Sequence, residues 1–310
     1  MSPEAALVAL GRALQAAGYD FTTVSPETHR RVLSRDRRLG TTPRDIFGWS
    51  RPFHRDALPT AWLAWLRDAD ALEVAGEGHE ARAPLLRSRV RFSSLHGGLY
   101  VHSAYPTTDA LAVFFGPDTY RFCRAIGRDP RPARRVVDIG CGSGAGGLIA
   151  GKGAARVVLA DVNDAALVCS RVNAALAGVH HAETVRSDIF ASVDGQFDRI
   201  VANPPYMLDA SRRVYRDGGG RFGEEISLRI VREASERLAP GGTLLLYTGT
   251  AVIEGRDTFL DAAAPMLQEL GMPFRYEEID PDVFGEELER PGYAAVDRIA
   301  AVLLTLSRRK

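Results

Sequence analysis

Asn203-Pro204-Pro205-Tyr206 places a side-chain amide, a stiffly held carbonyl and an aromatic ring within four residues. The tetrapeptide follows Ile200-Val201-Ala202, an apolar run that reads as a buried strand. Neither proline can donate to a strand ladder, so the chain must leave the sheet in a fixed shape at Asn203. The Asn203 oxygen and the Pro204 carbonyl can each accept one hydrogen of a flat –NH2 group. Pro205 stiffens the turn, and Tyr206 can stack on the flat target. An amide or aryl amine is a weak nucleophile because its lone pair is delocalised. Accepting both hydrogens favours a pyramidal nitrogen and strengthens as positive charge develops on it. Transfer of an electrophilic carbon to such a nitrogen needs no strong general base, because the proton becomes acidic only afterwards. No histidine is required. Standing alone, Asn203 would serve equally as a turn former before proline.

A second constellation supplies the reaction partner. One predicted strand ends in Asp138-Ile139-Gly140-Cys141-Gly142-Ser143-Gly144. Glycines there let the backbone approach a ligand and let the next helix pack closely. By itself such a turn could equally hold a dinucleotide pyrophosphate, but Asp138 would repel one and would instead attract an ammonium. The next predicted strand ends in Asp161, suited to ribose hydroxyls. The third ends in Ser187-Asp188-Ile189, where Asp188 can accept from an adenine amino group. Three carboxylates at three successive strand ends suit a cationic amino acid joined to a nucleoside. Taken singly, Asp161 or Asp188 could instead cap a helix.

On these residues, positions from about 115 to 306 resemble the class I S-adenosylmethionine-dependent methyltransferases. Val136 to Gly144 is similar to that superfamily's cofactor loop. Asn-Pro-Pro-Tyr is similar to the signature of its amino-methylating members, which include adenine-N6 and cytosine-N4 nucleic-acid methyltransferases and the HemK-like enzymes that methylate glutamine on release factors. Asp161-Val-Asn-Asp-Ala-Ala-Leu with Asn173-Ala, Gly218-Gly-Gly, Leu238-Ala-Pro-Gly-Gly, and Phe115-Gly-Pro-Asp-Thr119 all resemble the HemK-like branch. The resemblance implies S-adenosylmethionine as cofactor. Its contacts would come from Thr119, Asp138, Gly140, Cys141, Gly142, Gly144, Asp161, Val162, Asp188, Ile189 and Asn203, with Asn203, Pro204, Pro205 and Tyr206 at the reacting nitrogen. It further implies a release-factor-like protein glutamine as substrate, with adenine-N6 in RNA or DNA as the alternative. Cys141 departs from the usual loop residue, and residues 1–104 do not read as the HemK helical bundle.

These residues need a scaffold that brings strand ends together. From about residue 105 the sequence alternates strand and helix: strands at Arg135–Ile139, Arg156–Ala160, Glu183–Arg186, Arg199–Ala202, Thr243–Tyr247, near Phe274–Glu278 and near Ile299–Leu306. Helices are expected at Ala145–Ala150, Ala165–Leu176, Glu224–Leu238 and near Phe259–Leu270. The pattern predicts a Rossmann-like α/β domain over 105–310: a seven-stranded, mainly parallel sheet with helices on both faces and ligands beyond the carboxyl ends of the strands. Residues 1–104 read as a smaller domain. Helix starts at Ser2-Pro3, Ser25-Pro26 and Thr42-Pro43, and a helix at Pro59–Arg67, precede a hairpin about His96-Gly97-Gly98. That order fits a winged-helix-like module or a helical cap over the next domain.

The 310 residues carry 39 basic and 39 acidic side chains, so no global field pulls the chain onto nucleic acid or anionic membrane. Arg212, Arg213, Arg216 and Arg221 flank Gly218-Gly-Gly in what reads as a flexible loop, able to clamp phosphates or cover a protein substrate. Cys123, Cys141 and Cys169 are too few and too irregular for a disulfide framework, and no histidine pairs with them at metal-ligand spacing. No metal, no membrane span and a cytoplasmic location are the expectations. A nicotinamide dehydrogenase is disfavoured by Asp138, and a non-catalytic binding protein by the intact tetrapeptide.

Overall fold

The computed structural model describes residues 1–75, 84–129 and 131–310. Ser2 caps α1 (Pro3–Ala16) by accepting from the Ala5 N–H, and Ser25 caps α2 (Pro26–Arg35) in the same way. A π-helical turn spans Arg44–Gly48, where Thr42-Pro43 signals a helix start. Then come α3 (Thr60–Asp68) and an antiparallel pair, β1 (Leu72–Val74) with β2 (Leu86–Ser88), which no sequence pattern announced. The expected hairpin follows as β3 (Val90–Leu95) and β4 (Gly98–Ser103). His96 and Gly97 both have positive φ, as a two-residue turn of the right twist requires.

The alternating region opens with α4 (Pro117–Gly127), β5 (Arg135–Ile139), α5 (Ala145–Ala150) and β6 (Arg156–Asp161). It continues with α6 (Asp164–Leu176), β7 (Ala182–Arg186), β8 (Phe197–Ala202), α7 (Glu225–Arg237) and β9 (Leu238–Ile253). β10 (Arg256–Asp257), α8 (Thr258–Leu270), β11 (Phe274–Asp280) and β12 (Arg298–Ser307) complete it. The sheet order is β11-β12-β9-β8-β5-β6-β7, with β10 paired to β9. The five strands from β9 to β7 run parallel, whereas β12 runs antiparallel to β9 and to β11. The fold is the expected α/β class. β9 is much longer than the Thr243–Tyr247 expected, because its ten-residue ladder with β12 carries it through Val252. Pro240-Gly-Gly lies inside it, and α7 ends earlier, at Arg237.

The strands are buried on both faces and successive residues serve opposite cores. Val136, Leu159, Val201, Leu245 and Leu303 face α4 and α5, packing on Phe122 and Leu148. Val137, Val158, Ile200, Leu244 and Val302 face α7 and α8, packing on Ile230 and Phe259. Among the described residues no helix is long and apolar enough to cross a membrane.

Residues before α4 form a third core that shares Ala166, Cys169 and Val172 with α6. Gly11 allows α1 to lie close on α6, where an added Cβ would meet Leu176 at 2.7 Å. One side chain joins the hairpin to the cofactor loop. Asn173, fully buried on α6, accepts from the Val101 N–H (2.7 Å) and donates to the Val101 carbonyl (3.0 Å) and the Ser143 carbonyl (2.8 Å). Asn173→Leu is expected to leave three buried backbone groups unmet, at about 1–3 kcal/mol each. The measurement is chemical unfolding. A stability loss under about 1 kcal/mol would show that the bridge carries little weight.

Candidate active site

The carboxyl ends of β5, β6, β7 and β8 surround a cavity of about 350 Å³, within the range of small-molecule sites. It is lined by all the sequence-derived site residues except Gly144: Thr119, Asp138, Gly140, Cys141, Gly142, Asp161, Val162, Asp188, Ile189 and the tetrapeptide Asn203 to Tyr206. Gly144 instead starts α5 with φ +76° and packs against Ser170.

The loop after β5 is built for close approach. A Cβ placed on Gly140 or Gly142 would meet no atom within 4 Å, and both have positive φ. Asp138 accepts the Gly147 N–H at 2.6 Å. Burial pushes its carboxyl up to about 7, against the pull of that N–H, and nearby Asp161 adds to the rise. Asp161 accepts from the Gly142 N–H and the Asn163 N–H, both at 2.9 Å. Burial raises its pKa too, against the pull of the backbone N–H groups. The cap of α6 is Asn163, so Asp161 is left facing the cavity rather than capping a helix. Asp188 opens a turn, not an α-helix, and pairs with Arg229 at 3.2 Å. Cys141 is buried with its Sγ 3.3 Å from the Ser170 hydroxyl, so only the backbone of this residue suits a ligand contact. Thr119 has its hydroxyl on the Gly116 N–H at the start of α4.

At the end of β8 the Asn203 amide borders the cavity, and no side chain or backbone group among the described residues hydrogen-bonds to it or to the Pro204 carbonyl. Tyr206 is anchored rather than loose. Its hydroxyl donates to Asp118 Oδ2 at 2.7 Å, while Asp118 Oδ1 accepts from the Tyr247 hydroxyl on β9 at 2.8 Å and from the Arg121 guanidinium at 3.1 Å. Asp118 is only 5% exposed. Burial pushes its carboxyl up, and the two phenols and Arg121 pull it back. The Tyr206 ring lies on Gly249, where no side chain would fit, and meets Phe284 edge-on at 6.1 Å. Asp118 and Tyr247 received no role from the sequence. The adjacency of Asp118 to Thr119 was the one available signal, since the partners come from segments 88 and 129 residues away.

The arginine loop after the tetrapeptide is braced. Arg213 grips Asp209 with two bonds of 2.7 Å, and the salt bridge holds the Asp209 carboxyl well below its usual range. Buried Glu287 pairs with Arg216 and, at 2.8 Å, with Arg290. Tyr215 donates to the Thr107 carbonyl at 2.6 Å. Arg212 and Arg221 are the exposed two of the four, and the Arg221 guanidinium lies over the Phe222 ring at 5.1 Å. The segment that reads as flexible in sequence is thus tied down at several points.

The donor set suits S-adenosylmethionine: carboxylates on the cationic side, an open glycine turn, and a further carboxylate for the base. Comparison with known proteins agrees. Residues 124–253 match the family described as methyltransferase small domain. The chain is 32% identical over 234 residues to the release factor glutamine methyltransferase of Deinococcus radiodurans, covering 70% of this chain and 78% of that protein. It is 36% identical over 113 residues to the ribosomal RNA small subunit methyltransferase C of Chromohalobacter salexigens, covering 36% of this chain and 31% of that protein. The structure of Trm5b from Pyrococcus abyssi shares the fold, with a TM-score of 0.51 at 16% identity over 77% of this chain and 63% of that one. The strand-end carboxylates, the open glycine turn and the relationship over most of the Deinococcus protein lead to one assignment: the chain belongs to the S-adenosylmethionine-dependent methyltransferase family that includes the release factor glutamine methyltransferases.

Proposed function

We propose that this enzyme methylates the side-chain amide nitrogen of a protein glutamine. The observation that carries the reading is the pair of acceptors at the end of β8: the Asn203 amide and the Pro204 carbonyl border the cavity with no hydrogen-bond partner among the described residues. When bound, S-adenosylmethionine supplies a methyl group made electrophilic by its sulfonium. Asn203 and the Pro204 carbonyl accept the two amide hydrogens and aim the nitrogen lone pair. Pro205 fixes the turn, and Tyr206 bounds the slot with a ring held by Asp118. Asp138 would hold the ammonium end of the cofactor, Asp161 its ribose hydroxyls and Asp188 its adenine amino group, and Val162 and Ile189, which line the same cavity, would offer apolar contact.

Adenine in RNA presents the same –NH2, and the ribosomal RNA methyltransferase relative favours keeping that reading as the alternative. The arginine loop weighs for protein, because Arg213 and Arg216 are neutralised internally and phosphate binding depends on available cations. The deciding experiment labels a cell extract with the enzyme and radioactive S-adenosylmethionine. Label removed only by protease, and released as methylamine on acid hydrolysis, is the expected result. Label removed only by nuclease overturns the glutamine reading.

Cofactor binding should follow pH through Asp138. A folded-state pKa raised to about 7 means that its carboxyl favours the folded protein at low pH, and that this contribution is lost as pH rises through 7. Cofactor affinity runs the other way, because the ammonium needs the carboxylate. Affinity is expected to rise about tenfold per pH unit up to 7 and to fall again above about 8 as the ammonium deprotonates. Calorimetric titration of Asp138→Asn should lose the acidic flank; an unchanged flank would remove Asp138 from the cofactor site.

A further inference from the structure

Among the described residues four arginines border the large cavity: Arg212, Arg213, Arg216 and Arg229. Three are already engaged. Arg213 is paired with Asp209, Arg216 with Glu287 and Arg229 with Asp188. Arg212 makes no ion pair among the described residues, and its one hydrogen bond runs from its backbone N–H to the Asp209 carbonyl at 2.8 Å. Its φ is +48°, a left-handed conformation that costs a residue with a side chain energy and that glycine adopts freely. Such a residue at a site is a pointer to function. The backbone about it is fixed on both sides. Arg213 grips Asp209 before the turn, and after it the Val214 N–H donates to the Ala110 carbonyl at 3.3 Å. One uncommitted cation is thus held at the cavity on a braced loop.

We propose that Arg212 binds the α-carboxylate of S-adenosylmethionine and makes the site select for that carboxylate. The inference rests on the assignment of the ammonium to Asp138. The amino-acid end of the cofactor is a zwitterion, and Asp138, Asp161 and Asp188 would each repel its anionic half. Position agrees with charge. Asp138 lies beside α4: an added Cβ on Gly146 would meet Asp138 Oδ2 at 3.1 Å and would run into the Phe122 ring of α4. The loop that carries Arg212 is fastened to α4 and to the segment leading into it, through Tyr206 on Asp118 and Tyr215 on the Thr107 carbonyl. The engaged Arg229 belongs instead to α7, with Asp188 beyond β7. A guanidinium meets a carboxylate with paired N–H donors, which suits arginine at this position.

The test compares two ligands by calorimetry, with no protein substrate present: S-adenosylmethionine and decarboxylated S-adenosylmethionine, which keeps the sulfonium and the ammonium. The wild-type enzyme is expected to bind the first about tenfold more tightly, the lower end for a charge-assisted bond because Arg212 is exposed. High salt should shrink that preference. Arg212→Gln is expected to bring the ratio close to one by weakening S-adenosylmethionine alone, and Arg212→Lys to keep part of it. Asp138→Asn should weaken both compounds and leave the ratio as in the wild type, so a failure of the ammonium assignment shows separately. Equal ratios in the wild type and Arg212→Gln overturn the proposal. If Arg212→Gln instead raises KM for the protein substrate with the ratio unchanged, Arg212 serves an acidic group of that substrate and the proposal also falls.

Discussion

Asn203→Ala is expected to lower kcat by about 10²–10³-fold, the usual loss when one preorganised polar group at a reacting centre is removed. Cofactor Kd should stay within a few fold. The reason lies in what the Asn203 amide does not do. It has no hydrogen-bond partner among the described residues, so its removal leaves no protein group unsatisfied and the fold should be undisturbed. On the proposed mechanism, what disappears is one of the two acceptors for the hydrogens of the target nitrogen, an interaction that grows as charge develops. Asn203→Asp keeps an acceptor at the same place and should retain more activity than alanine. Single-turnover kinetics with saturating cofactor makes the measurement. A kcat loss below tenfold would mean that the nitrogen is held by something other than this amide.

The second large effect belongs to Asp118, a positioning residue. Its carboxylate receives Tyr206, Tyr247 and Arg121 in a nearly solvent-free setting, and Arg121 reaches on to Asp280 at 2.8 Å. Asp118→Ala strands two buried phenols and a guanidinium, which should cost about 3–5 kcal/mol of stability. Asp118→Asn keeps one oxygen acceptor and should fold. In that variant Tyr206 loses its charged anchor, the ring wanders over Gly249, and kcat is expected to fall about tenfold with KM for cofactor nearly constant. A double-mutant cycle with Tyr206→Phe separates positioning from general weakening. If Asp118 acts through Tyr206, the combined loss in kcat will be well short of the product of the two single losses. Fully multiplicative losses would assign Asp118 a structural role only.

Much of this molecule was legible in the sequence because its signals are local. Val-Val-Asp-Ile followed by glycines names a buried parallel strand and a close turn, and Asp138, Gly140 and Gly142 all reach the cavity. Ser2-Pro3, Ser25-Pro26 and His96-Gly97 are short-range signals, and each sits where the structure has a cap or a tight turn. What escaped depends on distant partners. The full length of β9 is set by β12, which lies some fifty residues later. Asp118 becomes an anchor only when α4, the end of β8 and β9 converge. The arginine run after the tetrapeptide reads as free charge because Glu287, the partner of Arg216, comes from a remote segment, and nothing local announces that Asp209 grips Arg213 four residues on.

The bridge at Asn173 makes two distant parts of the chain mechanically one. One amide grips the hairpin backbone at Val101 and the cofactor loop at Ser143, so neither can shift without taking strain from the other. The first hundred residues are thus fastened to the glycine turn by a single buried amide, so a substitution at Asn173 should loosen the hairpin and the turn together.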